Sequence, residues 1–311
     1  MNTVIQKLPN GDAGPEQLEV NDMGLGTDIE NCVSIDVEGF VESNLESFRV
    51  PSKYVDRARE NYEIEKNTEA FMGLLDERNI HATFFIVGRI ARDIPQMVRQ
   101  VASRGHEIGC HSFEHLRIFN LQRQEFREGL RGAKKRLEDV SGTRVYGFRA
   151  PDFSITKSSI WALDELSEAG FLYDSSIYPI RIHDVYGIDD ARTGIHKMSN
   201  GLIEWPLATF DLLGMRFPFG GGGYFRLYPL SFTKRCIRAV NRSGHPCMLY
   251  IHPYEVGPVI PRIRELSAYR RFRHYHNCHN GQSRLRNILQ AFTFSTAIRI
   301  LEQKGQANYV R

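Results

Sequence analysis

Two histidines four apart, His111 and His115, and two carboxylates two apart, Asp36 and Glu38, are the residues of this chain whose types and spacing can do chemistry. Histidines at i and i+4 meet on one side of a helical turn. Asp36 and Glu38 close an apolar run over 32–37, and the two-residue period of a strand points both the same way. Brought together, the pairs make a His-His-carboxylate metal centre with a second carboxylate beside it. Three protein ligands leave a position open for water, and the spare carboxylate can take its proton. That is hydrolytic equipment.

The elements that must position these groups follow from apolar periodicity. Short apolar runs at 32–37, 82–87, 107–110, 145–149, 171–175, 202–205 and 247–252 read as strands. Helical patterns at 65–78, 94–104, 122–139 and 156–169 alternate with them, and Gly105 and Gly170 stop two of these helices. Strand and helix alternating about seven times predict a parallel α/β sheet. Asp36, Glu38, His111, His115, Arg149, Asp174 and His252 all fall at the C-terminal ends of predicted strands. In a (β/α) barrel that face carries the active site, which favours a barrel over an open sheet.

Residues 1–30 read as a flexible N-terminal segment, 31–255 as the barrel, and 256–311 as a helical extension packed on it. Two stretches interrupt the pattern. Residues 39–64 read as a long polar insertion. Residues 207–230 contain four consecutive glycines, Gly220 to Gly223, but no Gly-Lys-Ser/Thr follows, so a phosphate loop is excluded. A tight, mobile loop flanked by aromatics is the expectation there.

The 311 residues are 41% hydrophobic and 25% charged, enough apolar mass for a sizeable core. A net charge of +3 makes no case for nucleic acid as a partner. Five scattered cysteines suit a reducing compartment, and residues 1–30 hold neither a secretory apolar core nor a membrane span. The expected location is the cytoplasm.

Five short segments in order then resemble one known family. They are Asp36-Val37-Glu38, His111-Ser112-Phe113-Glu114-His115, Arg149-Ala150-Pro151, Asp174-Ser175-Ser176 and Ile251-His252-Pro253. Together they are similar to the motifs of the NodB-homology polysaccharide deacetylases, carbohydrate esterase family 4. Residues 204–297 resemble the C-terminal region of the subgroup associated with exopolysaccharide and exosortase gene clusters. The resemblance implies a distorted (β/α) barrel of about seven parallel strands and removal of N-acetyl groups from sugar units. It implies Asp36 as general base and Glu38, His111 and His115 as ligands of zinc or another divalent metal. It further implies Arg149 orienting Asp36, His252 as general acid with Asp174 behind it, and the backbone N–H of Asp152 at the oxyanion. Two departures stand out: Val37 separates the usually adjacent acids, and Asp152 replaces the usual tyrosine.

Taken singly, each residue has a plainer reading. The histidines could be ordinary polar residues of a helix, Asp36 a cap, Arg149 and Asp174 a structural ion pair, and His252 a satisfier of backbone groups. A C–N hydrolase acting on cyclic imides or ureides, or a non-catalytic carbohydrate-binding barrel, are the alternatives for the whole; the second would need neither base nor acid. Among Phe40, Trp205, Phe219, Tyr224, Phe225 and Tyr254, only Tyr224 and Phe225 beside the glycines are nominated as sugar platforms. The arginines at 262, 264, 270, 271, 273, 284 and 286 form a basic stretch suited to a solvated face or to a negatively charged part of the substrate. The histidine-rich run 274–279 lacks standard zinc spacing and reads as a polar loop.

Overall fold

All seven residues of Asn31–Val37 (β1) are buried, and alternate ones face opposite environments. Val33, Ile35 and Val37 pack outward, in one apolar cluster with Phe84, Ile86, Ile108, Leu249 and Ile251 and the covering helices. Cys32 faces inward, against Phe85, Tyr173, Trp205, Met248 and Leu301. Ser34 and Asp36 face inward too, where the Arg149 guanidinium reaches both. A strand buried on both sides reads as a continuous apolar run, as parallel sheets require. Its two inward polar residues are therefore conspicuous.

The computed structural model describes residues 29–48, 50–181, 187–212 and 215–306. The expected flexible segment 1–30 lies almost wholly outside the described residues. After β1 come Thr83–Ile86 (β2), Glu107–Cys110 (β3), Gly147–Phe148 (β4), Tyr173–Asp174 (β5), His196–Lys197 (β6) and Ile203–Glu204 (β7). Thr209–Leu212 (β8) and Met215–Pro218 (β9) follow, then Met248–Ile251 (β10) and Phe294–Ser295 (β11). The main sheet runs β10-β1-β2-β3-β4-β5-β7-β6, with β11 also on β1. The β6–β7 pair is antiparallel; the other neighbours in this sheet are parallel. β8 and β9 form a separate hairpin.

All seven expected strands are present, most of them shorter than their apolar runs. The sheet curls as a (β/α) barrel does, but no strand pairing joins β6 to β10 among the described residues. On the free edge of β10, Gly221 forms a parallel bridge to Tyr250, and the Tyr250 N–H donates to Gly220 at 2.8 Å. The glycine stretch is thus packed backbone, not the free loop expected. A Cβ at Gly221 would overlap the Tyr250 carbonyl oxygen.

The polar insertion is helical. Helix Phe40–Phe48 occupies part of it, and helix Arg57–Asp76 begins well before residue 65. Asp56 caps the latter, accepting the Arg59 N–H at 3.1 Å. Apolar periodicity misses this turn because Glu60 and Glu63 are buried there. Arg59 pairs with Glu63 at 2.9 Å, and Glu60 accepts the Glu42 N–H at 2.9 Å. A fully buried arginine, Arg89, ties the region together through Glu42 and Asp93. The C-terminal extension is mainly helical, in Ala268–Tyr275, Gly281–Ala291 and Ala297–Gln303, and β11 adds a strand that periodicity missed.

Candidate active site

β1, β3, β4 and β10 end on the same side of the sheet, and the loops leaving them carry the site. Asp36 is the second-last residue of β1, and Glu38 follows its end. His111 follows β3 directly. The chain then turns at Ser112, whose φ is 65°, so His111 and His115 sit on a loop and not on the helical turn expected. The N–H groups of Gly88 and Arg89 pin that loop through the carbonyls of Ser112 (2.8 Å) and Phe113 (2.9 Å). Both histidines still reach one carboxylate: Glu38 Oε2 lies 3.1 Å from His111 Nε2 and 2.6 Å from His115 Nε2.

The ligand atoms of Glu38, His111 and His115 lie within 4.8 Å of one another, and all three residues are buried. His111 Nδ1 faces the Arg149 carbonyl at 2.8 Å, so the N–H is used there and Nε2 is left with a lone pair. His115 Nε2, buried and close to Glu38, has no hydrogen bond of acceptable geometry. Two imidazoles and a carboxylate converging with an unsatisfied nitrogen is the donor set of a catalytic metal site. Burial opposes ionisation of Glu38, yet His115, His252 and His111 hold its carboxyl well below the usual range. Burial likewise opposes a charge on His115, but Glu38 pushes it up to about 9.

Asp36 is held by Arg149, whose Nη1 donates to Asp36 Oδ1 and to Ser34 Oγ, both at 2.7 Å. The guanidinium is fully buried, and its other N–H groups meet the Ser175 carbonyl (3.1 Å), Ser175 Oγ (3.0 Å) and Met248 Sδ (2.8 Å). It also lies 4.2 Å from the Phe85 ring centroid. Arg149 therefore sets the position of Asp36 rigidly.

His252 follows β10 and brings Nε2 to 3.5 Å from Glu38 Oε1. Its Nδ1 pairs with Glu255 Oε2 at 2.8 Å. The expectation that Asp174 stands behind His252 is therefore corrected: Asp174 accepts from Ser176 and lies opposite Glu204 in the strand register, and no ion pair joins it to His252 among the described residues. Asp174 ends β5 on the outer, helix-facing side of the sheet, opposite the inward Tyr173, whereas Glu255 is three residues from His252 in one short helical turn. Burial opposes a charge on His252, but Glu38, Glu255 and Asp36 push the imidazole up to about 9. These carboxylates favour the protonated imidazole that a general acid requires.

Asp152 has a left-handed backbone, φ 51°, a conformation Asp tolerates better than most residues. Arg117 holds its carboxylate at 2.7 Å. Phe225 is corrected as a sugar platform: it is 1% exposed, in the core beneath Arg284. Tyr224 is half-buried and stacked on Tyr228. In the basic stretch, Arg284 donates to the carbonyls of Phe225 and Tyr228, and Arg286 pairs with Glu77 at the surface. His274 is buried, and burial with Arg226 and Arg273 nearby pushes it down to about 3.

Residues 56–171 match the polysaccharide deacetylase family, and residues 175–302 match a domain of unknown function, DUF3473. The peptidoglycan-N-acetylglucosamine deacetylase of Bacillus cereus is 27% identical over 99 residues, 32% of this chain and 36% of that protein. The chitooligosaccharide deacetylase of Azorhizobium caulinodans is 38% identical over 85 residues, 27% of this chain and 40% of that protein. The chain thus matches well under half the length of these relatives. A crystal structure described as a putative polysaccharide deacetylase from Mycobacterium smegmatis superposes with a TM-score of 0.60 at 20% identity, covering 91% of this chain and 94% of that one. The PuuE allantoinase structure gives 0.59 at 15% identity, covering 96% and 100%. Both comparisons establish the fold, and neither separates one chemistry from the other.

The deacetylase match contains His111, His115, Arg149 and Asp152, while His252 and Glu255 lie in the second match and Asp36 and Glu38 precede both. Sequence reasoning missed Ser34, Ser175, Arg226, Glu204 and Glu255. A signal for Glu255 was present: His252-Pro253-Tyr254-Glu255 has capping-box spacing, and Glu255 also accepts the His252 backbone N–H at 2.9 Å.

Proposed function

We propose that this chain is a metal-dependent hydrolase that removes N-acetyl groups from amino-sugar units of a polysaccharide or its lipid-linked precursor, releasing acetate. The observation that supports this reading is a buried Glu38–His111–His115 cluster with His252 beside it and Asp36 two residues from Glu38 on the same strand end. Asp36 is fixed by Arg149, and His252 approaches Glu38 within 3.5 Å, beside His111 and His115. The named activities of the relatives support the substrate class.

Two imidazoles and a carboxylate suit zinc among divalent ions, and such an ion supplies Lewis acidity toward the acetyl carbonyl and a more acidic water. Asp36 accepts the proton of the attacking water, with Arg149 keeping Oδ1 in place. The backbone N–H of Asp152 is assigned to the oxyanion. As the C–N bond breaks, His252 gives its proton to the amine nitrogen, because an unprotonated amine is a poor leaving group. Tyr224 remains the candidate platform for a sugar ring.

We keep 31–255 as the barrel unit and 256–311 as its extension. All five cysteines are unpaired and buried, which fits a reducing compartment, and we place the reaction in the cytoplasm. No helix among the described residues is long and apolar enough to cross a membrane.

The test is acetate release from N-acetylglucosamine oligomers by the zinc-loaded chain, with allantoin offered in parallel. Acetate and free amine in equal amounts, abolished by Asp36→Asn, is the expected result. Ring opening of allantoin without acetate release would replace this reading with the cyclic ureide hydrolase.

A further inference from the structure

The C-terminal domain of unknown function reaches the site through one buried chain of contacts. Glu255 is 1% exposed; its Oε2 takes His252 Nδ1, and its Oε1 takes Arg226 Nε at 2.5 Å. Arg226 is 4% exposed, and its remaining N–H groups converge on backbone carbonyls of one segment. Nη1 meets His274 at 2.8 Å and His276 at 3.0 Å, and Nη2 meets Arg273 at 3.1 Å. Cys278 Sγ lies 3.5 Å from Nη1, and Asn277 returns a hydrogen bond to the Arg226 carbonyl at 2.9 Å. The segment closes directly over Glu255, since a Cβ at Gly281 would overlap the Glu255 carbonyl oxygen.

Three carbonyls aimed at one guanidinium hold a cation in a fixed orientation, and that cation holds a carboxylate. The carboxylate grips both the backbone and the ring of a single residue, His252. We propose that Glu255 is the positioning residue of His252, and that residues 273–281 form a carbonyl clamp that locks it through Arg226. The C-terminal extension thereby completes the proton-donating half of the site. This rests on the deacetylase reading above. In the step concerned, the C–N electron pair goes to nitrogen, and nitrogen takes the proton from His252 Nε2. His252 ends neutral, with its Nδ1–H still donating to Glu255.

The experiment compares the zinc-loaded full chain with its Glu255→Gln and Arg226→Lys variants on two substrates. N-acetylglucosamine oligomers need a protonated leaving group; 4-nitrophenyl acetate does not. Glu255→Gln is expected to lower kcat on the oligomer by about 10²-fold, with KM unchanged and 4-nitrophenyl acetate turnover retained. Equal losses on both substrates, or none, would overturn the proposal. Independently of turnover, histidine-labelled protein is expected to show a hydrogen-bonded Nδ1–H proton for His252 in NMR that both variants lose. Persistence of that signal in Arg226→Lys would overturn the clamp. Absence of acetate release by wild type, with the signal lost as expected, would sink the deacetylase reading and leave the positioning intact. Retained zinc binding in both variants shows that they are folded.

Discussion

Asp174 and Glu204 occupy paired positions on β5 and β7, both are fully buried, and each carboxyl perturbs the other. Burial pushes both carboxyls up, and the charge on Asp174 drives Glu204 well above the ordinary range. These effects favour the proton on Glu204 over Asp174. Ser176 supports the ionised partner with its hydroxyl at 2.6 Å and its N–H at 3.1 Å.

This pair makes stability depend on pH. Both groups bind protons more tightly folded than unfolded, so their contribution is fully present below the unfolded carboxylate value of about 4. It is lost as pH rises through the raised folded values. Glu204→Gln keeps an N–H donor for Asp174 and removes the titration. Thermal melting from pH 5 to pH 8 should show Tm falling less in the variant than in wild type; parallel curves would show that no proton is shared.

The Glu38–His111–His115 cluster predicts one divalent ion per chain. Calorimetric titration with Zn²⁺ should give about one site, with Tm rising as the metal is added. His111→Ala should lose most of that affinity, and chelation of wild type should lower its Tm. Undiminished binding in the variant would place the metal elsewhere.

Arg149 and Asp36 form a buried ion pair at 2.7 Å, with Arg149 fully buried and Asp36 2% exposed. Arg149→Met leaves the Asp36 carboxylate without its cation, which should cost about 3–5 kcal/mol in urea unfolding. Asp36→Asn keeps an acceptor for Arg149 but removes the base. It should lower kcat by about 10²–10⁴-fold, with metal content unchanged. Loss of metal in that variant would make Asp36 a ligand instead.

Two glycines should respond to alanine with opposite signs. Gly221 lies against the Tyr250 backbone, where a Cβ has no room, so Gly221→Ala should destabilise by about 1–3 kcal/mol. Gly73, inside helix Arg57–Asp76, has nothing within 4 Å of an added Cβ. Gly73→Ala should stabilise by about 0.5–1 kcal/mol. Chemical denaturation of the two variants side by side checks both signs.

The amino-acid sequence alone determined the seven parallel strands and the face on which the chemistry gathers. Continuous apolar runs mark strands buried on both sides, and polar residues at their C-terminal ends mark the active face of a barrel. It also singled out the candidate site residues Asp36, Glu38, His111, His115, Arg149 and His252, because side-chain chemistry and local spacing are properties of the chain itself. Tertiary structure decided which of these groups meet which. His111 and His115 converge on Glu38 through a left-handed turn at Ser112, since the loop is pinned to Gly88 and Arg89 of a neighbouring strand's end. Asp174 and Glu255 are both carboxylates near a predicted strand end, and nothing in composition ranks them as partners of His252. The strand pairing that sets Asp174 beside Glu204 on the outer face of the sheet, and the Arg226 contact with the distant carbonyls of Arg273, His274 and His276, assign that place to Glu255. Hydrogen bonds between groups far apart in the chain leave no periodicity to read.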